Sequence, residues 1–198
     1  MIISMRNWLP VSLIFLASSS WADSPVRVDG TSHMADISRA LVAAAEDTNY
    51  LITVENEESG SGGGFKRFSL GLSDINKSAR HIKDRERKEC TDREIDFVEV
   101  VVGHSQDQSE SLRLFVNSES LQRECVRNFL GYCLSDNAQA LVESHGKRLS
   151  EVELNTSRST LRIAIAAAIQ NPKGSESSDA PKDRPSRSGN ADATRGPR

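Results

Sequence analysis

The stretch 55-ENEESGSGGGFKRF-68 decides how the chain is assembled. Gly60, Gly62, Gly63 and Gly64 fall within five residues, and Lys66 and Arg67 follow almost at once. Such a run is either a loop that cradles phosphate or a flexible connection between strands. A Walker-type loop requires G-x-x-x-x-G-K-[ST], so that backbone N–H groups wrap the phosphate and the hydroxyl reaches magnesium. Counted from Gly60, Phe65 stands where the second glycine belongs and Arg67 where the hydroxyl belongs. Glu55, Glu57 and Glu58 precede the run and would repel an anion. The stretch therefore predicts a mobile hairpin tip, acidic on one side and basic on the other. It joins a strand in 50-YLITVE-55 to a strand in 65-FKRFSLGL-72. Ser59, Gly60, Gly62, Gly63, Gly64, Phe65, Lys66 and Arg67 are then a candidate contact loop.

Upstream, 25-PVRVDG-30 is a short strand. Thr31 or Ser32 offers an N-cap, and Met34, Ile37, Leu41 and Ala45 share the stripe of an amphipathic helix. Downstream, 73-SDINKSARHIKDRERKECTDREID-96 predicts a second helix capped by Ser73, with Leu72, Ile75, Ala79 and Ile82 on one face. Its remainder, with interleaved charges from Arg80 to Asp96, reads as a solvated helix or loop. The runs 96-DFVEVVVG-103 and 111-SLRLFV-116 are strand-like. Three helical segments close the body. The first carries Leu121, Cys125, Phe129, Tyr132 and Cys133 along one stripe. The second is capped by Ser135 or Asp136 and ended by Gly146. The third opens at 150-SEVE-153, which matches the S-x-x-E capping box. Residues 158–170 fit helix by their alanines and strand by the alternation of Leu161, Ile163 and Ile165. Together these elements predict an α+β fold, a mostly antiparallel sheet packed against several helices.

The ends differ from the body. Residues 1–22 have one positive charge at Arg6, an apolar run from Leu9 to Ala17, and Ser20 and Ala22 at the −3 and −1 positions of a cleavage site. That is the layout of a signal peptide, which predicts a secreted or periplasmic protein, with a bacterial periplasm favoured and no stable membrane anchor after cleavage. Residues 171–198 contain no large apolar residue and predict a disordered tail. Residues 23–170 form a single globular domain on this division.

Composition removes several classes of function. Both tryptophans, Trp8 and Trp21, lie in the leader, so the mature chain has few aromatic faces on which sugars or bases could stack. Loss of Arg6 leaves 24 basic against 28 acidic residues, which argues against a nucleic-acid partner. His33, His81, His104 and His145 lie far apart with no metal-binding spacing, and no G-x-S-x-G elbow is present. No cofactor or metal is expected.

Cys90, Cys125 and Cys133 are disulfide candidates in an oxidising compartment. On a continuous helix Cys125 and Cys133 would stand roughly 12 Å apart, too far for a bond. Cys90 paired with one of them is the preferred arrangement, with the third thiol buried or available for a dimer. The sequons at Asn76 and Asn155 carry little weight in a serine-rich chain.

The function that remains is a non-catalytic exported protein acting on a protein partner of unknown identity, as an accessory, inhibitor or immunity-type envelope protein. A small hydrolase with a Cys/His or Ser/His site is the alternative. A structural subunit of an envelope or secretion assembly is a further one.

Overall fold

The computed structural model describes residues 24–48 and 52–171. The leader and, beyond Asn171, the tail lie outside them. Strand β1, Val26–Gly30, and helix α1, Ala35–Glu46, form where the patterning placed them, and α1 buries Ile37, Leu41 and Ala45. Its cap differs. Met34 takes the N-cap position at φ 62 without a side-chain bond, and Thr31 Oγ1 accepts the His33 N–H at 3.0 Å. Strand β2 is short, Val54–Asn56.

The hairpin does not form. Gly60–Ser69 is helix α2, so the glycine run is its first turns and Phe65 and Phe68 share one face. Both rings are buried, and they meet Phe115 and Phe97 edge-on at 4.9 and 6.1 Å. Each glycine costs a helix about 1 kcal/mol relative to alanine, whereas each buried phenylalanine returns about 1.5–3 kcal/mol. Tertiary burial thus offsets poor local propensity. A hairpin is also impossible on topology, because β1 lies between β2 and the next strand and runs parallel to both. Parallel neighbours require a crossover, usually helical.

That next strand, β3, Ile75–Ser78, replaces the helix predicted from Ser73. All four of its residues are fully buried. A strand covered on both faces has no alternation to display, and the letters Asn-Lys-Ser disguised it further. The rest follows the predicted order: α3, Asp84–Thr91; β4, Phe97–His104; β5, Ser111–Asn117; a 3₁₀ turn, Glu119–Gln122; α4, Glu124–Cys133; α5, Asp136–His145; and α6, Glu151–Gln170. Ser135 caps α5 by accepting the Ala138 N–H, and Ser150 and Glu153 form the reciprocal capping box of α6. Residues 158–170 are helical as part of α6.

The sheet order is β2-β1-β3-β5-β4, with β5 antiparallel to β3 and β4. The α+β class holds, and the sheet is mixed. Along β5, Leu114 and Val116 enter the main core shared with α1, α4, α5 and α6, while Phe115 points to the smaller cluster under α2 and α3. This division corrects the disulfide expectation. Cys90 is buried in the smaller cluster and Cys133 in the main core, with the sheet between them; Cys125 is half-exposed, and all three are free. Burial pushes the Cys90 thiol up to about 11 and Cys133 to about 12, as suits inert core residues. A thiol reagent should therefore titrate one group, Cys125, in the native protein and three after denaturation.

At the N-terminal edge of β3, Asp74 joins three elements. It accepts the Arg27 N–H at 2.9 Å, Arg27 Nη2 at 3.1 Å, Ser120 Oγ at 2.9 Å and Arg123 Nη1 at 2.8 Å. Burial alone would raise its carboxyl, but the bonds from Arg27 and Ser120 and the Arg123 charge more than offset this and lower it. Removing a buried, multiply bonded carboxylate costs about 3 kcal/mol, so Asp74→Ala should lose that much in urea unfolding. A lowered folded pKa stabilises above the ordinary value of 3.8 and ceases to do so as pH falls through the folded value. The acid limb of the stability curve should accordingly be shallower in the variant.

Candidate functional site

Because β1, β2 and β3 are parallel, their C-terminal ends reach the same edge of the sheet. From β1 the chain passes to β2 on one side, then crosses back to β3 on the other. Helices α1 and α2 consequently cover opposite faces, and the connections reverse direction at the edge shared by β1 and β3. Ligands of open α/β sheets bind at such a reversal. Three segments meet there: residues 31–34 ahead of α1, 59–63 opening α2, and 79–80 after β3. The Thr31 N–H donates to the Lys77 carbonyl at 2.9 Å and closes the floor.

Two glycines let α2 approach this edge. Gly30 has φ 132, and a Cβ there would come within 3.0 Å of the Lys77 carbonyl. A Cβ on Gly64 would lie closer than 3.0 Å to both Asn76 Oδ1 and the Gly30 Cα. By contrast, the space in front of Gly60 and Gly62 is open. Ser59, the N-cap residue, does not cap the helix with its side chain. Its N–H and Oγ instead donate to Asp29, at 3.0 and 2.5 Å. The N–H groups of the first helical turn have no intrahelical acceptor; here they lie on a glycine-rich turn whose Gly60 and Gly62 have open space before them.

Asp29 fixes this geometry. It accepts the Gly30 N–H at 2.6 Å and lies 2.9 Å from Arg67 Nε. Burial works against its charge, yet the Ser59 and Gly30 bonds and the Arg67 charge hold the carboxyl below its usual value. The other acids near the run are also matched. Glu57 meets Arg67 at 3.1 Å, and Glu58 meets Arg39 at 2.8 Å and Lys77 at 3.9 Å. The repulsion expected from Glu57 and Glu58 is thus cancelled by cations distant in sequence, while Glu55 sits exposed on β2. Asn76 completes the floor. It is fully buried beside Gly30 and Gly64, and neither amide atom has a hydrogen-bond partner among the described residues. Its burial also closes the sequon at that position.

The predicted contact loop separates accordingly. Ser59, Gly60, Gly62 and Gly63 line the α2 N-terminus, and Gly64 and Phe65 are buried. Lys66 and Arg67 lie in the last turn, where Arg67 folds back onto Asp29 and Glu57. Sequence reasoning missed Asp29, Lys77, Arg39 and Asn76. Asp29-Gly30 closing a strand, followed by a second glycine-opened segment, was the available signal. Two further surface depressions are present, the first adjoining the segment ahead of α1. One of about 410 Å³ is bordered by Ser32, His33, Gln106, Glu110 and His145, and one of about 370 Å³ by Leu134, Arg158, Leu161 and Ile165.

No protein-family model matches the chain. It is 32% identical over 101 residues to Protein SphX of Synechocystis sp., covering 49% of this chain and 30% of that protein. It is 35% identical over 83 residues to Phosphate-binding protein PstS of Staphylococcus saprophyticus, covering 42% and 26%. The matched part is therefore about a quarter to a third of those relatives' length. In structure it resembles a possible phosphate binding protein from Planctomyces limnophilus, with TM-score 0.66 and 15% identity, over 72% of this chain and 99% of that one. A putative phosphate ABC transporter substrate-binding protein from Clostridium perfringens, solved with bound phosphate, matches with TM-score 0.54 and 12% identity, over 64% of this chain and 100% of that one.

The chain shares its fold with these two structures. A secreted or periplasmic location and a binding role agree with these likenesses. The expectation of an unidentified protein partner is overturned: the PstS relative and both structures are named for phosphate, a small anion.

The glycines yield a sharp contrast. Gly64→Ala should cost about 1–3 kcal/mol in denaturant unfolding through overpacking against backbone. Gly62→Ala, into open space within a helix, should leave stability unchanged or raise it by about 0.5–1 kcal/mol.

Proposed function

We propose that the chain binds inorganic phosphate at the edge shared by β1 and β3, outside the cytoplasm. The observation that carries this reading is the α2 N-terminus, glycine-rich, held at the switch point of the sheet, with its neighbouring acids neutralised. A helix N-terminus combines unpaired N–H donors with roughly half a positive charge, and it holds an anion without any Walker pattern. The N–H groups of Gly60, Ser61 and Gly62 and the Ser61 hydroxyl are the donors placed for a tetrahedral oxyanion. Thr31 and Ser32 stand on the opposite rim. Hydrogen bonds to a charged acceptor are roughly twice as strong as neutral ones, so a few such donors suffice without a metal or a proton-transfer step. The names of the relatives and of the structural neighbours support the same ligand.

Equilibrium dialysis with radiolabelled phosphate should show saturable binding at one site per chain. Ser61→Asp places a carboxylate among the donors while favouring the helix through its dipole. It should weaken phosphate by about a hundredfold or more, since like charges brought together cost several kcal/mol, with no loss of melting temperature. Absence of saturable uptake by the wild-type protein would remove the proposal.

A further inference from the structure

Lys77 stands out among the buried charges. It is fully buried at the C-terminal end of β3, in the middle of the sheet, where an apolar residue would serve packing at lower cost. Its Nζ donates to Asn56 Oδ1 at 2.6 Å, at the end of β2, and to Ser38 Oγ at 3.4 Å, in the first turn of α1. The third group it reaches is the Glu58 carboxylate, one residue ahead of the α2 N-cap. Arg39 holds the same carboxylate with a two-pronged bond at 3.0 and 2.8 Å, but its side chain is 60% exposed, so solvent and salt screen its charge. The charge of Lys77 is not screened in this way. Burial weakens its hold on the proton, and Glu58 and Asp29 oppose that loss.

We propose that Lys77 is the charge-setting and positioning residue of the anion site: it cancels the Glu58 carboxylate beside the α2 N-terminus and tethers the segment that delivers that helix. The inference rests on the phosphate reading for its ligand. Its structural half, the tether, does not. Asp29 holds Ser59 through the end of β1, and Lys77 holds Glu58 through the end of β3. The two residues preceding α2 are thereby fixed by two buried ions of opposite sign.

The test is phosphate dialysis on four full-length proteins, wild type, Lys77→Met, Glu58→Gln and the double variant, with amide hydrogen exchange across residues 57–63 in ligand-free samples. Lys77→Met should bind phosphate about tenfold more weakly, the scale on which one uncompensated charge acts in a partly screened site. The double variant should recover to within about threefold of wild type, because the uncompensated carboxylate is gone; a packing defect would persist instead. Exchange should be faster than wild type in both proteins that lack Lys77. Glu58→Gln alone should bind as wild type or slightly tighter, which keeps the test available if Lys77→Met fails to fold. Wild-type affinity in Lys77→Met, no recovery in the double variant, or weakened binding in Glu58→Gln overturns the charge role. Unchanged exchange in Lys77→Met overturns the tether. If wild-type protein takes up no phosphate, the phosphate reading and the charge role fall together, and the exchange data alone decide the tether.

Discussion

The contact of Gly64 against Gly30 is the constraint on which the rest of the site depends. Neither position has room for a Cβ, so α2 starts directly over the end of β1 and not one side chain's width away. That approach puts the N-terminal donors at the edge shared by β1 and β3. It also brings Ser59 and Arg67 within reach of Asp29, whose buried carboxylate would otherwise keep only the Gly30 N–H. Packing and polar satisfaction here are one requirement: move the helix outward and Asp29 loses its two Ser59 bonds, remove Asp29 and the segment before the helix loses its anchor.

Parts of this architecture were legible in the sequence because one-sided burial imposes a period. Helix α1 shows its stripe at Ile37, Leu41 and Ala45, and the caps at Ser135 and Ser150 are local chemistry that needs no tertiary information. The parts that were not legible are those covered on both sides or held by distant partners. Strand β3 is central, and two of its residues are the fully buried Asn76 and Lys77, so it presents neither alternation nor an apolar run. Helix α2 has four glycines, and its burial against the sheet and α3 makes it a helix. The cysteines failed for a related reason. Spacing along the chain carries no information about which face of a sheet a thiol occupies.

The charge argument drawn from the sequence was sound in its physics and wrong in its accounting. Acidic residues next to a glycine run do repel an anion if nothing else is near. In the fold, Glu58 lies 19 residues from Arg39 in one direction and 19 from Lys77 in the other, yet meets both. Arg67 lies on the far side of α2's own length and turns back to serve Asp29 and Glu57. Net charge over a window therefore left out the cations that the fold brings to these acids.

The two ends of the parallel strands use buried carboxylates in different ways. At the N-terminal edge, Asp74 is fully served by Arg27, Ser120 and Arg123, and nothing is left over to meet a ligand. At the C-terminal edge, Asp29 takes its donors from the residue before α2, which spares that helix's first-turn donors. A carboxylate in place of the Ser59 side chain would have capped the helix and occupied the same donors. Moving the negative charge one strand inward, to Asp29, keeps the segment anchored and leaves the helix end positive. On the proposed phosphate reading, fold stability and anion affinity then draw on different hydrogen bonds, so neither is satisfied at the expense of the other.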